Sequence, residues 1–401
     1  MTIRACLLAL VTMVVFLLAA CTAPQAVAQP ESAIQDDGQF VFGLVLVGPR
    51  DDHGWSEAHY NGGRYVEQRI PGSRMILVPS LNPDSQPDKT LNDVVADMVA
   101  EGVDIVFVTS DDFSSDTTFT ARRYPEIPFI HVSGDHALRA NAPANIGNYY
   151  GRMMYGKMIA GCAAALATET GHLGYVGPLI NGETRRLANA AFLGARYCYE
   201  QYRDQQAGSL RFSVEWVGFW FHIPGVTRDP IEVTTALIDG GADVILSGID
   251  TTEPLRVVAA RTAAGQTVRA VPYDYEHACT SAPNVCLGVP YFNWGPGYLR
   301  LAQQVIDDNW QPAWKWEEPY WPDINDPDRS PVGFQRGEAL TAEQGAILDQ
   351  FIQGLGDGSL VLFKGPLNYQ TTPFLADGEF ATDEQLWESP QLLQGMEGLS
   401  D

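Results

Sequence analysis

Acidic and aromatic side chains gather where apolar runs of this sequence break off. Asp51, Asp52, His53 and Trp55 follow the run 42–47, and Ser110, Asp111, Asp112 and Phe113 follow 105–108. Further on, Phe219, Trp220 and Phe221 follow 213–217, Asp250 follows 244–246, and Asp274 and Tyr275 follow 269–271. Asn293 and Trp294 close a later apolar stretch. Ring stacking adds about 0.5–1.5 kcal/mol beyond burial, and a hydrogen bond to an ionised group about 1.5–3 kcal/mol. Together, rings and carboxylates select a flat, hydrogen-bond-donating ligand that is uncharged or cationic. A phosphorylated ligand would need a basic pocket, which the sequence does not offer.

Catalytic chemistry has little support. The chain has no G-x-S-x-G elbow, no phosphate-cradling Gly-rich loop ending in Lys and no H-E-x-x-H, so we read it as no enzyme. It has no CxxC pair and no His/Cys cluster at ligand spacing, and neither metal nor cofactor is expected. Several residues also have a plainer structural reading. Asp104 and Asp243 precede strands and read as turn residues, and His131 lies inside an apolar run as a satisfied core histidine. Asp51 reads equally as a helix cap or a solvated acid, Asp112 as a surface group, His53 beside Gly54 as a turn residue, and Trp220 as core.

The elements that must position these loops are short apolar runs alternating with helical patterns. Strands are expected at 42–47, 75–78, 105–108 and 129–132, and again at 173–176, 213–217, 244–246 and 269–271. Helices are expected at 56–69, around 91–99, near 116–124, at 153–168 and at 341–354. Such alternation builds a parallel sheet covered on both faces, with ligand groups on loops at the carboxyl ends of the strands. The pattern is also duplicated. At one constant offset, 98–111 lies over 237–250, which brings Asp104 over Asp243 and Asp111 over Asp250, and Asp135 lies over Asp274. Two copies of one lobe facing each other make a cleft, and chain crossings between them make a hinge.

The first lobe is expected to take 40–147 plus about 292–325, and the second 148–291 plus about 326–375. Residues 145–151 read as the connection out of the first lobe, 359–363 as a late strand, and 376–401 as an acidic, partly ordered tail. The aromatic and proline-rich stretch 310–334 has no assigned structure. Ahead of the lobes, Arg4, the apolar run 5–20 and Leu18-Ala19-Ala20-Cys21 form a lipoprotein signal over 1–21, with Cys21 the lipidated residue and 22–39 a tether. This places the protein outside the cytoplasm on a lipid anchor, where disulfides are permitted. Cys279 and Cys286 are spaced to close a small loop, whereas Cys162 and Cys198 read as buried thiols. With 401 residues, 45% of them hydrophobic, and a net charge of -24, the chain is an ordinary globular one that repels nucleic acid.

A resemblance joins these pieces. Gly48-Pro49 with Asp52-His53-Gly54-Trp55-Ser56 and His59, Thr109-Ser110, Asn189-Ala-Ala-Phe-Leu-Gly194-Ala-Arg196 and Trp220 stand in the order seen in one family. So do Gly241-Ala242-Asp243-Val244-Ile245, Tyr291-Phe292-Asn293-Trp294-Gly295-Pro296 and Phe363-Lys364-Gly365-Pro366. Over about residues 40–370 the chain resembles the basic membrane protein family of substrate-binding lipoproteins, which are similar to purine nucleoside receptors of ABC importers. The resemblance implies a type I periplasmic-binding fold of two Rossmann-like lobes, with parallel sheets and a multi-strand hinge. It implies a monomer whose cleft holds a purine base or nucleoside for delivery to a membrane permease. Asp52 and Trp55 would meet the ligand from the first lobe, Trp220 would stack, and Asp250 and Asp274 would accept hydrogen bonds. Ser56-Glu57 and Asp111-Asp112 depart from the nucleoside receptors' pattern, and the His-Gly-Trp variant is similar to a branch associated with adenine. A sugar or signal-molecule receptor of the same fold, or a ligand sensor for a membrane kinase, is the alternative.

Overall fold

The structure, a computed structural model, describes residues 39–401. The signal at 1–21, its Cys21 and nearly all of the tether at 22–39 lie outside those residues. The first lobe is built in the order β1 (Val41–Val45), α1 (Trp55–Arg69), β2 (Arg74–Val78), α2 (Leu91–Ala100), β3 (Ile105–Val108), α3 (Ser114–Arg123), β4 (Phe129–Val132) and β5 (Ile146–Gly151). The second follows as α4 (Met153–Ala167), β6 (His172–Gly177), α5 (Gly182–Gln201), β7 (Arg211–Trp216), α6 (Pro230–Asp239), β8 (Val244–Ser247), α7 (Glu253–Ala263) and β9 (Arg269–Val271). The chain then recrosses through β10 (Gly288–Phe292), α8 (Gly295–Ile306), β11 (Trp314–Glu317) and β12 (Val332–Arg336). It ends with α9 (Ala342–Gly356), β13 (Leu367–Asn368), β14 (Pro373–Leu375), α10 (Asp383–Glu388) and β15 (Met396–Glu397).

Both main sheets are parallel, in the orders β11-β5-β4-β3-β1-β2 and β15-β7-β6-β8-β9. The order β2-β1-β3-β4 of one lobe recurs as β7-β6-β8-β9 in the other, so Asp111 after β3 and Asp250 after β8 occupy matching loops. Buried strands such as β1 and β3 read as continuous apolar runs because helices cover both faces. Three crossings join the lobes: at Arg152, at Asn293, and through the loop between β11 and β12. Backbone hydrogen bonds tie these crossings together, Arg152 N donating to Glu317 O (2.7 Å) and Asn293 N to Pro331 O (3.0 Å).

Several expectations change. The stretch 145–151 is strand β5, its Gly and Tyr content hiding an edge-to-interior strand that pairs with both β4 and β11. The unassigned region 310–334 supplies β11 and most of β12, whereas 359–363 forms no strand. The acidic tail is ordered: β15 extends the second sheet beside β7, and Trp387 of α10 packs edge-on against Trp314 and Trp316. Cys162 and Cys198 are not free thiols but a disulfide, with Cα atoms 5.2 Å apart, and Cys279 and Cys286 form a second, at 5.6 Å.

The first disulfide sits where α4 and α5 cross at close range. A Cβ on Gly161 would lie 1.9 Å from Ala191 O, and one on Gly194 would lie 2.0 Å from Met158 O, so only glycine allows the backbones to touch. Gly194→Ala is expected to lower stability by about 3 kcal/mol through this overpacking. Urea unfolding checks it, and an unchanged midpoint would mean that the helices separate freely.

Candidate functional site

Loops at the carboxyl ends of the strands face each other across the lobes around a small cavity of about 20 Å³. Trp55, Ser110, Asp111 and Ser133 line this cavity from the first lobe. Tyr175, Glu183, Leu187, Trp220, Asp250 and Tyr273 line it from the second. The cleft is closed. Gly54 approaches Asp250 so tightly that a Cβ would fall 1.5 Å from the Asp250 carbonyl oxygen. At the rim His53 stacks on Tyr275 with ring centroids 6.0 Å apart, and deeper in, the Tyr150 hydroxyl donates to Glu183 Oε1 at 2.5 Å.

Each wall is fixed from behind. The Trp55 indole N–H donates to Thr109 O at 2.7 Å, and its ring meets Trp294 and Phe292 edge-on, both at 5.4 Å. Trp294 is fully buried and stacked on His59 at 4.3 Å. On the other wall, Asp250 N donates to Trp220 O at 2.9 Å, tying together two loops of the second lobe. Glu183 reaches the cavity because it opens α5, whose first turn is set by a capping box between Asn181 and Thr184.

The cavity is acidic and poorly solvated. Burial raises Asp111, helped by Asp135 and Asp112, and burial also raises Glu183 against the opposing pull of Arg186. Asp250 and Asp274 are pushed far above the carboxylate range by burial, and each responds to the other's charge or hydrogen bonding. Behind them lies Lys157, a lone cation in the apolar helix α4. Its Nζ donates to Ser247 O at 2.7 Å and stands 3.2 Å from the Tyr273 ring centroid. Burial lowers Lys157 to about 7, an effect that Asp274 and Asp250 oppose.

Of the residues singled out from the sequence, Trp55, Ser110, Asp111, Trp220 and Asp250 meet at one cavity. The others do not line it. Asp52 caps α1 instead, accepting from the backbone N–H of Gly54, Ser56 and Glu57 at 2.9 Å each. Burial still raises its carboxyl to about 6, although these bonds pull it down. His53 lies exposed at the rim against Glu57, and Phe113 is buried core. Phe221 packs edge-on against Phe219. Asn293 donates to Pro327 O and Ser330 O, pinning a crossing, and Trp294 backs Trp55. Asp274 stands behind Asp250. Asp104 and Asp243 act as turn residues, Asp243 accepting from the Thr168 hydroxyl and the Glu169 and Thr170 amides. His131 is core, its Nε2 facing Ser110 O at 2.7 Å. Among the described residues no group of acids, histidines and cysteines could hold a metal ion.

Glu183, Tyr175, Tyr273 and Lys157 were missed. Tyr175 and Tyr273 look like ordinary strand residues. Lys157 did carry a signal, since a single ammonium inside an otherwise apolar helix must find a buried partner.

With this geometry established, similarity to other proteins becomes interpretable. Residues 40–203 match the Bmp family, described as ABC transporter substrate-binding protein PnrA-like. Over that stretch, the first lobe and the opening of the second, the chain is similar to this family. A purine-binding protein of Brucella abortus is 25% identical over 67% of this chain and 69% of its own. A Haloferax volcanii protein named for glucose binding in an ABC transporter is 28% identical over 70% of this chain and 59% of its own length. Among solved structures, a solute-binding protein from Aeropyrum pernix superposes with a TM-score of 0.63 at 12% identity, covering 88% of this chain and 100% of that one. One from Conexibacter woesei gives 0.58 at 15% identity, covering 80% and 98%. At these identities the structures establish the fold alone, the two-lobed α/β architecture of extracytoplasmic solute-binding proteins. The family model and these two solved structures are all described as ABC transporter substrate-binding or solute-binding proteins.

Two outcomes follow for this cleft. Gly54→Ala is expected to hold the lobes apart, enlarging the radius of gyration in small-angle scattering, and a profile unchanged from the parent protein would refute the closing contact. Lys157→Met removes the ammonium facing Asp274 and Asp250 and is expected to cost about 3 kcal/mol in urea unfolding, with no loss arguing against any charge role there.

Proposed function

We propose that the protein binds a purine base or nucleoside, an adenine-like base in particular, and delivers it to an ABC permease. The observation that carries this is the cavity's composition: indoles from opposite lobes, Trp55 and Trp220, with Asp111, Glu183 and Asp250 between them. A planar heterocycle with exocyclic N–H groups satisfies both the rings and the acids, and it needs no basic residue. The Brucella relative named for purine binding supports the same reading. Cys21 carries the lipid anchor, which holds a monomeric receptor beside the permease.

A sugar is the second reading, supported by the Haloferax relative named for glucose. Hydroxyl groups also donate to carboxylates, and rings can cover a sugar face. Thermal-shift measurements with adenine, guanosine and glucose separate the two. Stabilisation is expected with adenine, and stabilisation by glucose alone would establish the sugar reading. Trp220→Ala is expected to weaken adenine binding by about tenfold in calorimetry through loss of a stacking wall, and an unchanged affinity would remove Trp220 from the site.

A further inference from the structure

A second hollow opens beside the cavity between the indoles, and it is the roomier of the two, about 290 Å³ against about 20 Å³. Asp111, Ser133 and Glu183 line both, so the two stand on either side of the same three side chains. The first lobe adds Asp135 and Arg139 to the hollow. The second adds Arg186 of α5, with Trp387 and Glu388 from the chain's last segment.

That last wall is firmly built. From α5, Arg185 Nε donates to Ser389 O at 2.7 Å, Arg186 Nη1 to Trp387 O at 2.8 Å and Asn189 Nδ2 to Gln391 O at 3.0 Å. A Cβ on Gly182, which also lines the hollow, would lie 2.6 Å from Glu388 O, so the backbones of helix and tail touch there.

Arg186 is the side chain that calls for a guest. It is only 1% exposed, and its guanidinium lies 4.7 Å from the Trp387 ring centroid and 5.1 Å from that of Trp316. Its Nη2 nevertheless has no hydrogen-bond partner. A buried donor of this kind is costly until an acceptor meets it. The other groups decide what carries that acceptor. Asp111, Glu183 and Glu388 offer acceptors of their own, while Arg139 is taken up by Asp135 at 2.6 Å. Four carboxyls against two guanidiniums repel a phosphate or carboxylate, and Arg186 repels an ammonium. A hydroxyl suits both sides, because it accepts from a guanidinium and donates to a carboxylate.

We propose that the hollow is a second compartment of the ligand site and takes a neutral, hydroxylated ring such as a pentose, with Arg186 donating to one hydroxyl and Asp111 and Glu388 accepting from others. The base attached to that ring rests on the purine reading above, which this narrows to a nucleoside; the preference of the hollow for hydroxyls does not rest on it.

Filling the hollow tests the proposal. Glu388 is exposed, so Glu388→Trp takes up the space from the rim and leaves the core untouched. Calorimetry compares adenine, adenosine and dideoxyadenosine, which lacks the ring hydroxyls, on the parent protein and on Glu388→Trp. Adenosine is expected to bind the parent about tenfold more tightly than the dideoxy analogue, and Glu388→Trp to abolish that advantage with adenine affinity unchanged. Equal parent affinities for adenosine and its dideoxy analogue would overturn the proposal. So would a Glu388→Trp variant that keeps its adenosine affinity or loses adenine along with it. Ribose and glucose separate these outcomes from failure of the purine reading. A protein that binds one of these sugars but no purine, and releases the sugar in Glu388→Trp, keeps the hollow and loses the purine reading. One that binds adenine but neither adenosine nor a sugar keeps the purine reading and loses the hollow, and one that binds none of these compounds loses both.

Discussion

The bare backbone of Gly54 lying against the Asp250 carbonyl governs the rest of this structure. No side chain separates the lobes at that point, so the loop after β1 and the loop after β8 close into one wall and water is thinned out around the acids. Everything unusual about the site follows from that exclusion. Carboxyl groups that would ionise freely at the surface are pushed upward by burial in Asp111, Glu183, Asp250 and Asp274 alike. The low dielectric makes each hydrogen bond to a guest stronger and each unmatched polar atom more costly.

Such a cleft works only if the lobes move as units. The close crossing of α4 and α5, stapled by Cys162 and Cys198, makes the second lobe stiff where it leaves the hinge. α10 and Trp387, from the chain's last segment, lie against Trp314 and Trp316 of the first lobe's edge strand, and Arg152 at the first crossing pairs with Asp383 at 2.6 Å. The tail thus braces the hinge beside the cleft, where Trp387 and Glu388 line a hollow shared with Asp111, Ser133 and Glu183. Buried aromatic contacts there carry more weight than the half-exposed ion pair.

Much of this was legible in the sequence, for a physical reason. Parallel sheets buried on both faces leave near-continuous apolar runs, and the aspartates after those runs keep phase between the lobes, so the alternation of strands and helices and the loops holding Asp111 and Asp250 could be anticipated. The same chemistry caused the errors. An aspartate suited to a ligand is equally suited to a helix start, and Asp52 caps α1; an asparagine suited to a base equally pins a carbonyl, and Asn293 does so. Glu183 was obscured because its importance depends on the direction of α5, and the two strand tyrosines because period alone does not say which ends meet the cleft. The Cys162–Cys198 pairing depends on a helix crossing, and the tail's order depends on partners far away in the chain. Neither leaves a local pattern.

The central claim is that a guest is gripped between the loops of both lobes around Asp250. Hydrogen–deuterium exchange with and without saturating adenine addresses it most directly. The account predicts slowed exchange together in 52–57 and 109–113 of the first lobe and in 218–222 and 248–252 of the second. Protection confined to one lobe, or appearing only around 355–363 and 380–386, would contradict it.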